Sequence, residues 1–332
     1  MLVALGETNE IVNLLEIKKS DLAELSKQYL RCPACKSQVR LKNGAVKMPH
    51  FAHISLQVCQ HFSENESFQH LTLKKRLYQW FKQTERVVVE QFLPDLQQTP
   101  DLLINNQIAI EIQCSHLTTQ RLRERTDNYR VHGYTVLWLM GKDLWLGESL
   151  STLKKNLLYF SQNAGFYYWE LDLKYEKIRL KYLIHEELTG KLQYLTREFD
   201  FGSENLLQIL RTPFDKTSAK LAIKIQQNIP KFIARQLYYQ NPKWLKIQEK
   251  YYRNGRNLLT IANFPITIAP VGLKMLTCQF EALSSDDFCQ ITADLTSYYH
   301  HFLNYKNNKM VYPPAFYAKI ESEKGAKNGK KT

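Results

Sequence analysis

Two carboxylate residues that lie ten positions apart form the sharpest chemical signal in the chain. Asp101 follows Pro100, and Glu111 is followed two positions later by Gln113, on two short apolar segments that predict paired strands. Carboxylate oxygens suit Mg²⁺ or Mn²⁺, and such an ion activates water and stabilises the charge on a phosphate under attack. The spacing predicts a divalent-metal site at Asp101 and Glu111, with Gln113 orienting a water by hydrogen bonding.

The predicted site depends on the register of these two strands. Side chains two apart on a strand share a face, so Asp101 shares the face of Glu111 only if the two lie opposite each other. This register pairs Ile104 with Ile108 and leaves residues 105–107 as the loop. A two-residue loop would turn Asp101 away from the metal. The alternative interpretation is that Asp101 only opens a strand and that Glu111 is a solvated strand residue.

A helix predicted upstream offers further polar groups to this site. Apolar residues recur at helical spacing from about residue 64 to 83, and Glu66, His70 and Lys74 lie on its other face. Because residues four apart share a helix face, we expect Glu66 and His70 to be further metal ligands or to position water. The alternative is an exposed pair on a solvated helix. Glu90, on the strand predicted next, is a lesser candidate ligand.

A cysteine- and histidine-rich segment between residues 32 and 61 has the spacing of a zinc site. Tetrahedral Zn²⁺ takes thiolate and imidazole ligands, and disulfides are the poorer explanation in a reducing compartment. The favoured ligands are Cys32, Cys35, His53 and Cys59. Spacing also permits His50 or His61. The alternative is a small core of reduced cysteines with surface histidines.

The remaining three cysteines carry no such pattern. They are isolated in the sequence and are expected to be ordinary buried thiols. These residues are Cys114, Cys278 and Cys289.

Basic charge is concentrated in the C-terminal half. The chain carries a net charge of +13, and the segment 216–256 holds ten Lys or Arg against one acidic residue, interleaved with Phe, Tyr and Trp. Charge for phosphates together with rings for stacking favours single-stranded DNA, with Lys243, Lys246 and Lys250 as contacts. The alternatives are a helical domain whose aromatic residues form the core, and a basic surface that docks a protein.

These residues must be positioned by a mixed succession of elements. The pattern predicts a hairpin from segments 2–5 and 11–15 and a helix at 20–27. The order then becomes helix, three strands, helix and strand. The predicted ranges are 64–83, 86–93, 101–104, 107–113, 118–132 and 134–140. Short strands and turns follow to residue 201, then mainly helix from 204 to 250.

Neither export nor membrane insertion is expected. The first residues are apolar but lack the basic flank of a signal peptide. The longest apolar stretch, 257–276, is interrupted by Asn263, Pro265 and Pro270, which a membrane-spanning helix disfavours. We expect a soluble, cytoplasmic protein without a membrane span.

Taken together, the motifs of residues 1–145 resemble the competence protein CoiA family, a PD-(D/E)xK-like group of bacterial DNA-uptake and recombination proteins. The motifs are Cys32-Pro-Ala-Cys35, His50-Phe-Ala-His53, Glu66 to His70 with Lys74, Pro100-Asp101-Leu102, Ile110 to Ser115, and Arg125 with Tyr129 before Trp138. The resemblance implies a role in processing or recombining incoming DNA during natural transformation. It does not by itself establish cleavage.

One residue departs from the general nuclease motif. Gln113 stands where that motif ends in Lys, and an amide supplies no positive charge. The resemblance implies that Gln is typical of this family, which indicates a variant site more than an inactive one. Candidates to restore the charge are Lys74, Arg121, Arg123 and Arg125. Arg125 and Tyr129, four apart on the next helix, are expected to contact DNA phosphate.

The predicted organisation is α/β, with a restriction-endonuclease-like core behind a zinc module. The predicted regions are a hairpin and zinc-binding module (1–62), a nuclease core (63–150), a mainly helical basic region (151–320) and a disordered tail (321–332). The predicted function is Mg²⁺- or Mn²⁺-dependent hydrolysis of DNA with one structural Zn²⁺, and with recombination proteins as further partners. The alternative is a non-catalytic DNA-binding or recombination-mediator protein on a degenerate nuclease scaffold.

Overall fold

The computed structural model describes most of the chain, which divides into two compact units. The described residues are 1–44, 48–55, 59, 66–215, 219–224, 228–260, 268–275, 280–281, 288–303 and 309–328. The first unit comprises Met1–Trp145, Trp169–Arg179 and Glu198–Arg211, and the second comprises Leu146–Tyr168, Leu180–Arg197 and Thr212–Thr332. The predicted regions 1–62 and 63–150 therefore fall almost entirely within the first unit, and their boundaries stay predictions.

The chain begins with a small antiparallel sheet of order β2-β1-β3-β4-β5, which with helix α1 we call the N-terminal module. Its elements are β1 (Val3–Leu5), β2 (Ile11–Asn13), α1 (Leu22–Leu25), β3 (Leu30–Arg31), β4 (Gln38–Lys42) and β5 (His50–His53). The pairing of Val3 with Asn13 confirms the predicted hairpin. The predicted helix is reduced to the four residues of α1. Leu30, Val39 and Phe51 pack in the module's core.

Helix α2 (Phe68–Phe81) opens the second part of the first unit. Its first residue is fixed by Ser67, whose hydroxyl accepts a hydrogen bond from the backbone N–H of His70 at 3.1 Å. Leu71, Leu77 and Phe81 are completely buried. The cap explains why the helix begins later than the apolar spacing alone predicts.

The strands that follow confirm the predicted register. Strand β6 (Val87–Val89) pairs with β7 (Leu102–Ile104), which pairs antiparallel with β8 (Ile108–Gln113). Ile104 lies opposite Ile108, and the loop residues Asn105 and Asn106 have φ of 51° and 57°, a conformation that Asn tolerates. Asp101 directly precedes the first paired residue, so this register directs it toward Glu111.

Strand β6 is shorter than the predicted segment 86–93. It ends at Val89 because Glu90 has φ of 48°, which leaves the extended conformation. The backbone N–H of Glu90 still donates to the carbonyl of Asp101 at 3.1 Å. This local turn places the Glu90 side chain beside the start of β7.

Helix α3 (Thr119–Val131) crosses from β8 to the parallel strand β9 (Thr135–Met140). The Thr118 hydroxyl caps it by accepting from the N–H of Arg121. Gly133, with φ of 80°, makes the turn into β9, a conformation that glycine adopts without a side-chain clash. Both elements match the predicted ranges within about two residues.

The next segment confirms the strands and turns predicted up to residue 201. After α4 (Thr152–Asn156), residues 159–200 form strands, so the description of the whole region 151–320 as mainly helical is too broad. These strands are β10 (Tyr159–Ser161), β11 (Gly165–Asp172), β12 (Lys177–Glu187) and β13 (Leu192–Asp200). Every residue of β11 is buried, because its aromatic side chains pack on both faces. The order of these strands in their sheet is β13-β12-β11-β9-β8-β7-β6. The residues of β11, β12 and β13 are divided between the two units.

The remaining elements are mostly short. They are α5 (Leu206–Arg211), β14 (Leu221–Ala222), α6 (Ile229–Tyr238), α7 (Pro242–Arg253), β15 (Ile268–Pro270), β16 (Lys274–Met275), β17 (Phe280–Glu281), α8 (Thr296–Leu303), β18 (Met310–Val311) and α9 (Pro314–Asn328). In the second unit, α6 and α7 pack around Ile233, Trp244 and Tyr251. Among the described residues, no helix has the length and apolar character needed to cross a membrane.

Helix α9 corrects the predicted disordered tail. It continues to Asn328, well past residue 321, where the sequence predicts disorder. Lys, Glu and Ala are good helix formers, so a polar segment that extends an existing helix needs no apolar face of its own. Residues 329–332 lie outside the described part of the chain.

Candidate metal centres and cleft

The four favoured zinc ligands come together in the N-terminal module. The ligand atoms of Cys32, Cys35, His53 and Cys59 all lie within 4.8 Å of one another. Cys35 Sγ lies 3.4 Å from His53 Nε2. A tight turn between β3 and β4 brings the first two cysteines together, since the N–H of Lys36 donates to the carbonyl of Cys32 at 3.0 Å.

The chemistry of this cluster fits a zinc ion. Burial raises the pKa of the Cys32 thiol to about 12, so a cation at the cluster is needed to hold that sulfur as a thiolate at neutral pH. Burial also lowers the pKa of His53, which favours the neutral imidazole that binds metals. Three sulfurs and one nitrogen at this spacing match the preferred ligands of structural Zn²⁺.

The other candidate histidines and cysteines take no place in this cluster within the described residues. His50 Nδ1 donates to the carbonyl of Met48 at 2.9 Å instead. Cys114 and Cys289 are buried cysteines outside the cluster, as predicted. His61 and Cys278 lie outside the described residues.

A second cluster of possible metal ligands lies in the same unit, where α2 meets the start of β7. Glu66, His70 and Asp101 each offer a ligand atom within 4.8 Å of the others. His70 Nε2 lies 3.0 Å from Asp101 Oδ2, and His70 Nδ1 lies 3.5 Å from Glu66 Oε1. Glu66 precedes Ser67, the N-cap of α2, so the predicted pair on one helix face is wrong, although the Glu66 side chain still lies beside His70.

Lys74 lies at the centre of the carboxylates, one turn further along α2. Its ammonium lies 2.5 Å from Glu66 Oε1, 2.7 Å from Glu90 Oε1 and 2.8 Å from Asp101 Oδ1. The residue is 1% exposed. Burial alone would lower the pKa of Lys74, but the three carboxylates outweigh it and raise the pKa well above its ordinary value. Lys74 is therefore a permanent positive charge inside the cluster.

The two metal-facing carboxylates are held in the ionised form. Burial alone would raise the pKa of Asp101, but His70 and Lys74 outweigh it and hold the pKa far below the usual range. The pKa of Glu66 is lowered in the same way, by Lys74 and the α-ammonium of Met1 against burial. An ionised carboxylate is the form that binds a metal ion.

Asp101 and Glu90 differ in how their second oxygens are used. Asp101 Oδ2 accepts from the backbone N–H of Ile112 at 2.8 Å and faces His70, which fixes its orientation. Glu90 Oε2 accepts from the N–H groups of Leu2 at 2.6 Å and Val3 at 3.1 Å. Both carboxylate oxygens of Glu90 therefore already have partners, one in β1 and its preceding residue and the other at Lys74. This makes Glu90 a weak candidate for a metal ligand.

Glu111 is the second carboxylate of the predicted metal pair, and it lies beside helix α3. Its Oε1 accepts from Arg125 at 2.5 Å and from the hydroxyl of Tyr129 at 2.7 Å. Burial raises the pKa of Glu111, and nearby Asp101 adds to this against Arg125 and Tyr129. Asp101 and Glu111 line the same cleft. Within the described residues, however, the ligand atoms that lie close to Asp101 are those of Glu66 and His70, and Glu111 is outside this cluster.

The position of Tyr129 corrects its predicted role in DNA binding. Tyr129 is 0% exposed, and its hydroxyl donates to Glu111. A side chain without solvent access cannot reach a DNA phosphate. Arg125 does line the cleft, where its guanidinium lies 5.9 Å from the centre of the Trp138 ring. Tyr129 is therefore a positioning residue for Glu111.

One cleft of about 420 Å³ in the first unit is lined by the charged groups described above, those of Glu66, His70, Lys74, Asp101, Glu111 and Arg125. Gln113 reaches it with its amide nitrogen donating to the carbonyl of Ser115 at 2.9 Å, which leaves its amide oxygen to accept from water. Two further lining residues, Arg40 and Lys42 of β4, were not among the residues predicted from the sequence. The alternation of basic residues at positions 40 and 42 was the available signal, because side chains two apart share one face of a strand.

The predicted basic contacts of the C-terminal half lie on helix α7 in the second unit. Lys246 and Lys250 are exposed, and neither ammonium group makes a hydrogen bond or ion pair among the described residues. Lys243 instead donates through Nζ to the carbonyl of Leu188 at 3.2 Å, which reduces its availability to DNA. Tyr238, adjacent in α6, is 81% exposed and offers a ring for stacking.

We expect Lys74→Met to destabilise the protein strongly. The substitution leaves Glu66, Glu90 and Asp101 without their shared cation, and removing one partner from a buried ion pair costs about 3–5 kcal/mol. Chemical denaturation measures the change in free energy of unfolding. The difference from the unsubstituted protein should shrink as the pH falls, because the lowered pKa values of Glu66 and Asp101 depend on Lys74 and protonation relieves the uncompensated charge.

Lys75→Met is the matched control, because the neighbouring Lys75 is exposed. It should change the free energy of unfolding by about 0.5 kcal/mol or less. Equal stability of the two variants would contradict the central role of Lys74.

Two family models match the chain. Residues 14–62 match the model described as Competence protein CoiA, N-terminal domain. Residues 66–199 match the model described as Competence protein CoiA, nuclease-like domain. The first covers the N-terminal module from α1 to β5 but not β1 and β2, and the second begins at Glu66 and ends in β13.

A curated relative matches part of the same region. The Competence protein CoiA of Bacillus subtilis (strain 168) is 30% identical over 150 residues, which are 44% of this chain and 38% of that protein. The match thus spans well under half the length of the relative. No solved structure matches the chain.

Proposed function

We propose that this chain, which belongs to the competence protein CoiA family, hydrolyses DNA phosphodiester bonds and acts in natural transformation and recombination. One observation carries the proposal. Two ionised carboxylates and an imidazole, those of Asp101, Glu66 and His70, lie within 4.8 Å of one another in a cleft that Gln113 also lines. This is a donor set for a divalent metal beside a group able to orient water.

The donor set fits Mg²⁺ or Mn²⁺. Oxygen ligands suit both ions, and the imidazole of His70 favours Mn²⁺ over Mg²⁺. Three carboxylates against two ammonium groups, those of Lys74 and the α-amino group of Met1, leave the cluster with one excess negative charge, which attracts a cation. A metal held there would supply water activation and stabilisation of charge on the phosphate.

The surrounding residues have separate roles in the proposed reaction. Lys74 holds the carboxylates in place and supplies the positive charge that Gln113 lacks, although from a helix rather than from the strand. Gln113 orients the attacking water through its amide oxygen. Arg125 and Tyr129 hold the carboxylate of Glu111 on the cleft wall, where it completes the ligand set or accepts a proton.

The order of elements supports a PD-(D/E)xK-like core. Helix α2, strands β6 to β8, helix α3 and strand β9 succeed one another as predicted, with Asp101 at the start of β7 and Glu111 within β8. The zinc site belongs to the N-terminal module and takes no part in the proposed chemistry. We propose that the protein acts in the cytoplasm, where its DNA substrate and recombination partners would be met.

A second candidate function is a non-catalytic DNA-binding or recombination-mediator role. The observation that favours it is that the charged side chains of the site already form ion pairs and hydrogen bonds with one another. Glu111 is held by Arg125 and Tyr129, and the Lys74 ammonium lies among the other carboxylates. A site whose charges are already paired stays stable without a metal.

The experiment that separates the two functions is a nuclease assay on single-stranded and double-stranded DNA. Purified full chain is incubated with Mg²⁺, with Mn²⁺ or with neither. Cleavage that requires the ion supports the enzyme. No cleavage of either substrate with either ion, together with DNA binding, supports the mediator.

Exposed lysines of helix α7 are proposed to contribute general DNA affinity. Replacing Lys246 and Lys250 together by Ala should weaken binding to every single-stranded sequence. It should also reduce the slope of log affinity against log salt by up to about 1.4, because each phosphate contact on a single strand contributes about 0.7. Fluorescence anisotropy with labelled oligonucleotides at several salt concentrations measures both quantities.

The charge-matched control replaces Lys309 and Lys319, which are exposed residues of the second unit outside α6 and α7. The control should leave the slope unchanged. If both double variants lose affinity equally, α7 is not a specific contact surface.

A further inference from the structure

The N-terminal module turns one face of its β4–β5 hairpin toward the cleft. The register pairs Arg40 with Ala52 and Lys42 with His50, and all four residues line the cleft. On β4 the alternating residues Val39 and Leu41 do not line the cleft, and Val39 is 2% exposed in the module's core. Alternation along the strands thus sends the basic side chains to the cleft.

Arg40 and Lys42 have no charged partner of their own. Both are exposed, and neither side chain makes a hydrogen bond or ion pair with any residue that the structure describes. The carboxylates of the cleft are already paired with Lys74, His70 and Arg125. Two cations that line a cleft without pairing to its carboxylates form a site for an anion from outside the chain.

The spacing of these cations suits a nucleic-acid backbone. Side chains two residues apart on a strand are separated by about 6.7 Å. Successive phosphates of an extended single strand lie at a similar distance. His50 adds a third group, because its Nδ1 donates to the carbonyl of Met48 at 2.9 Å and its Nε2 is left for another partner.

The size of the cleft suits one unpaired nucleotide. Its volume of about 420 Å³ lies in the range of pockets that hold one small ligand. A nucleotide of a single strand or of an unpaired end fits this space. Arg121 of α3 lines the cleft as well.

We infer that the cleft-facing side of the β4–β5 hairpin binds the backbone of single-stranded DNA, with Arg40 and Lys42 contacting successive phosphates and His50 beside them. The inference rests on the proposed DNA substrate and assigns the N-terminal module a direct part in binding it. Zinc ligands flank both strands, since Cys35 precedes β4 and His53 ends β5. The metal site would therefore hold the hairpin in its binding position.

The test compares two charge-matched double variants of the full chain. Arg40 and Lys42 are replaced by Ala in one, and the exposed Lys18 and Lys19 of the same module, which do not line the cleft, in the other. Binding of a labelled single-stranded oligonucleotide is measured by anisotropy from about 50 to 200 mM salt with Ca²⁺ as the added divalent ion, and cleavage with Mn²⁺ in parallel. Zinc content by elemental analysis checks that each variant retains its folded module.

The Arg40 and Lys42 variant should lose about tenfold or more in affinity, and its salt slope should fall by about 1.4. The Lys18 and Lys19 variant should keep both values, and Arg40→Lys with Lys42→Arg should restore most of the binding. Equal losses in the two Ala variants, or no loss in either, would overturn the inference even if the unsubstituted chain cleaves DNA. If that chain cleaves nothing while the Arg40 and Lys42 variant alone loses binding, the inference stands and the nuclease proposal fails.

Discussion

Asp101→Asn is expected to reduce metal-dependent DNA cleavage by at least about 100-fold while single-stranded DNA affinity stays similar. The substitution removes a charged ligand atom that lies 3.0 Å from His70 Nε2, and it weakens the attraction for a divalent ion at the cluster. Initial cleavage rates over a range of Mn²⁺ concentrations provide the measurement. Direct titration of Mn²⁺ into the protein should show weaker binding in the variant.

Asp95→Asn is the control for this experiment, because Asp95 is an exposed acid in the segment that leads to Asp101. It should keep full activity and full Mn²⁺ affinity. A thermal melt of each variant separates loss of a ligand from loss of the fold.

Glu111→Gln is a second, independent test of the enzyme proposal. It neutralises the Glu111 carboxylate of the cleft and keeps the shape of the side chain.

The mediator function makes the opposite forecast for both substitutions. With no chemistry to lose, Asp101→Asn and Glu111→Gln would leave every DNA-dependent activity unchanged. If the unsubstituted chain degrades no DNA with any divalent ion, and Glu111→Ala still supports transformation in cells, the enzyme proposal is abandoned.

Cys32→Ser is expected to cost the N-terminal module its fold and the chain its zinc. Cys32 is 0% exposed, and its cluster lies within the same small core as Leu30, Val39 and Phe51. The apparent binding free energy of structural zinc is about 10–16 kcal/mol in small domains, and this free energy contributes directly to folding. Soluble yield should fall severely, and elemental analysis should find one zinc per chain before the substitution and none after it.

Cys289→Ala controls for the loss of a buried thiol, because Cys289 is 3% exposed and stands outside the cluster in the second unit. It should keep the zinc and most of the yield. Protein purified without chelators that contains no zinc would refute the assignment of the cluster as a zinc site.

The sequence alone determined the elements whose signals are local. The loop at residues 105–107 and the register of β7 on β8 follow from turn chemistry and the two-residue alternation of apolar side chains. Helix α3 and strand β9 follow from capping, a glycine turn and an unbroken apolar run. The four zinc ligands were favoured from spacing and ligand chemistry, although spacing did not choose between His53 and His50. In each case the determining residues lie within a few positions of the feature.

The tertiary structure decided every feature that depends on a partner distant in sequence. Lys74 became the centre of the site because Glu90 and Asp101 approach it from other elements. Tyr129 became a buried partner of Glu111 rather than a DNA contact because α3 packs against β9, the neighbour of β8 in the sheet. The strands between residues 159 and 200 gain their burial from neighbours that no local pattern specifies.

The cleft itself is the clearest case of this division. Arg40 and Lys42 are two residues apart on β4, which predicts that they share a face. The neighbouring residues do not determine which part of the molecule that face lies against. Only the packing of the N-terminal module against the start of β7 and α2 puts that face beside Asp101. A strand or helix takes its periodicity from neighbouring residues, whereas a site is assembled by long-range contacts whose geometry one sequence does not encode locally.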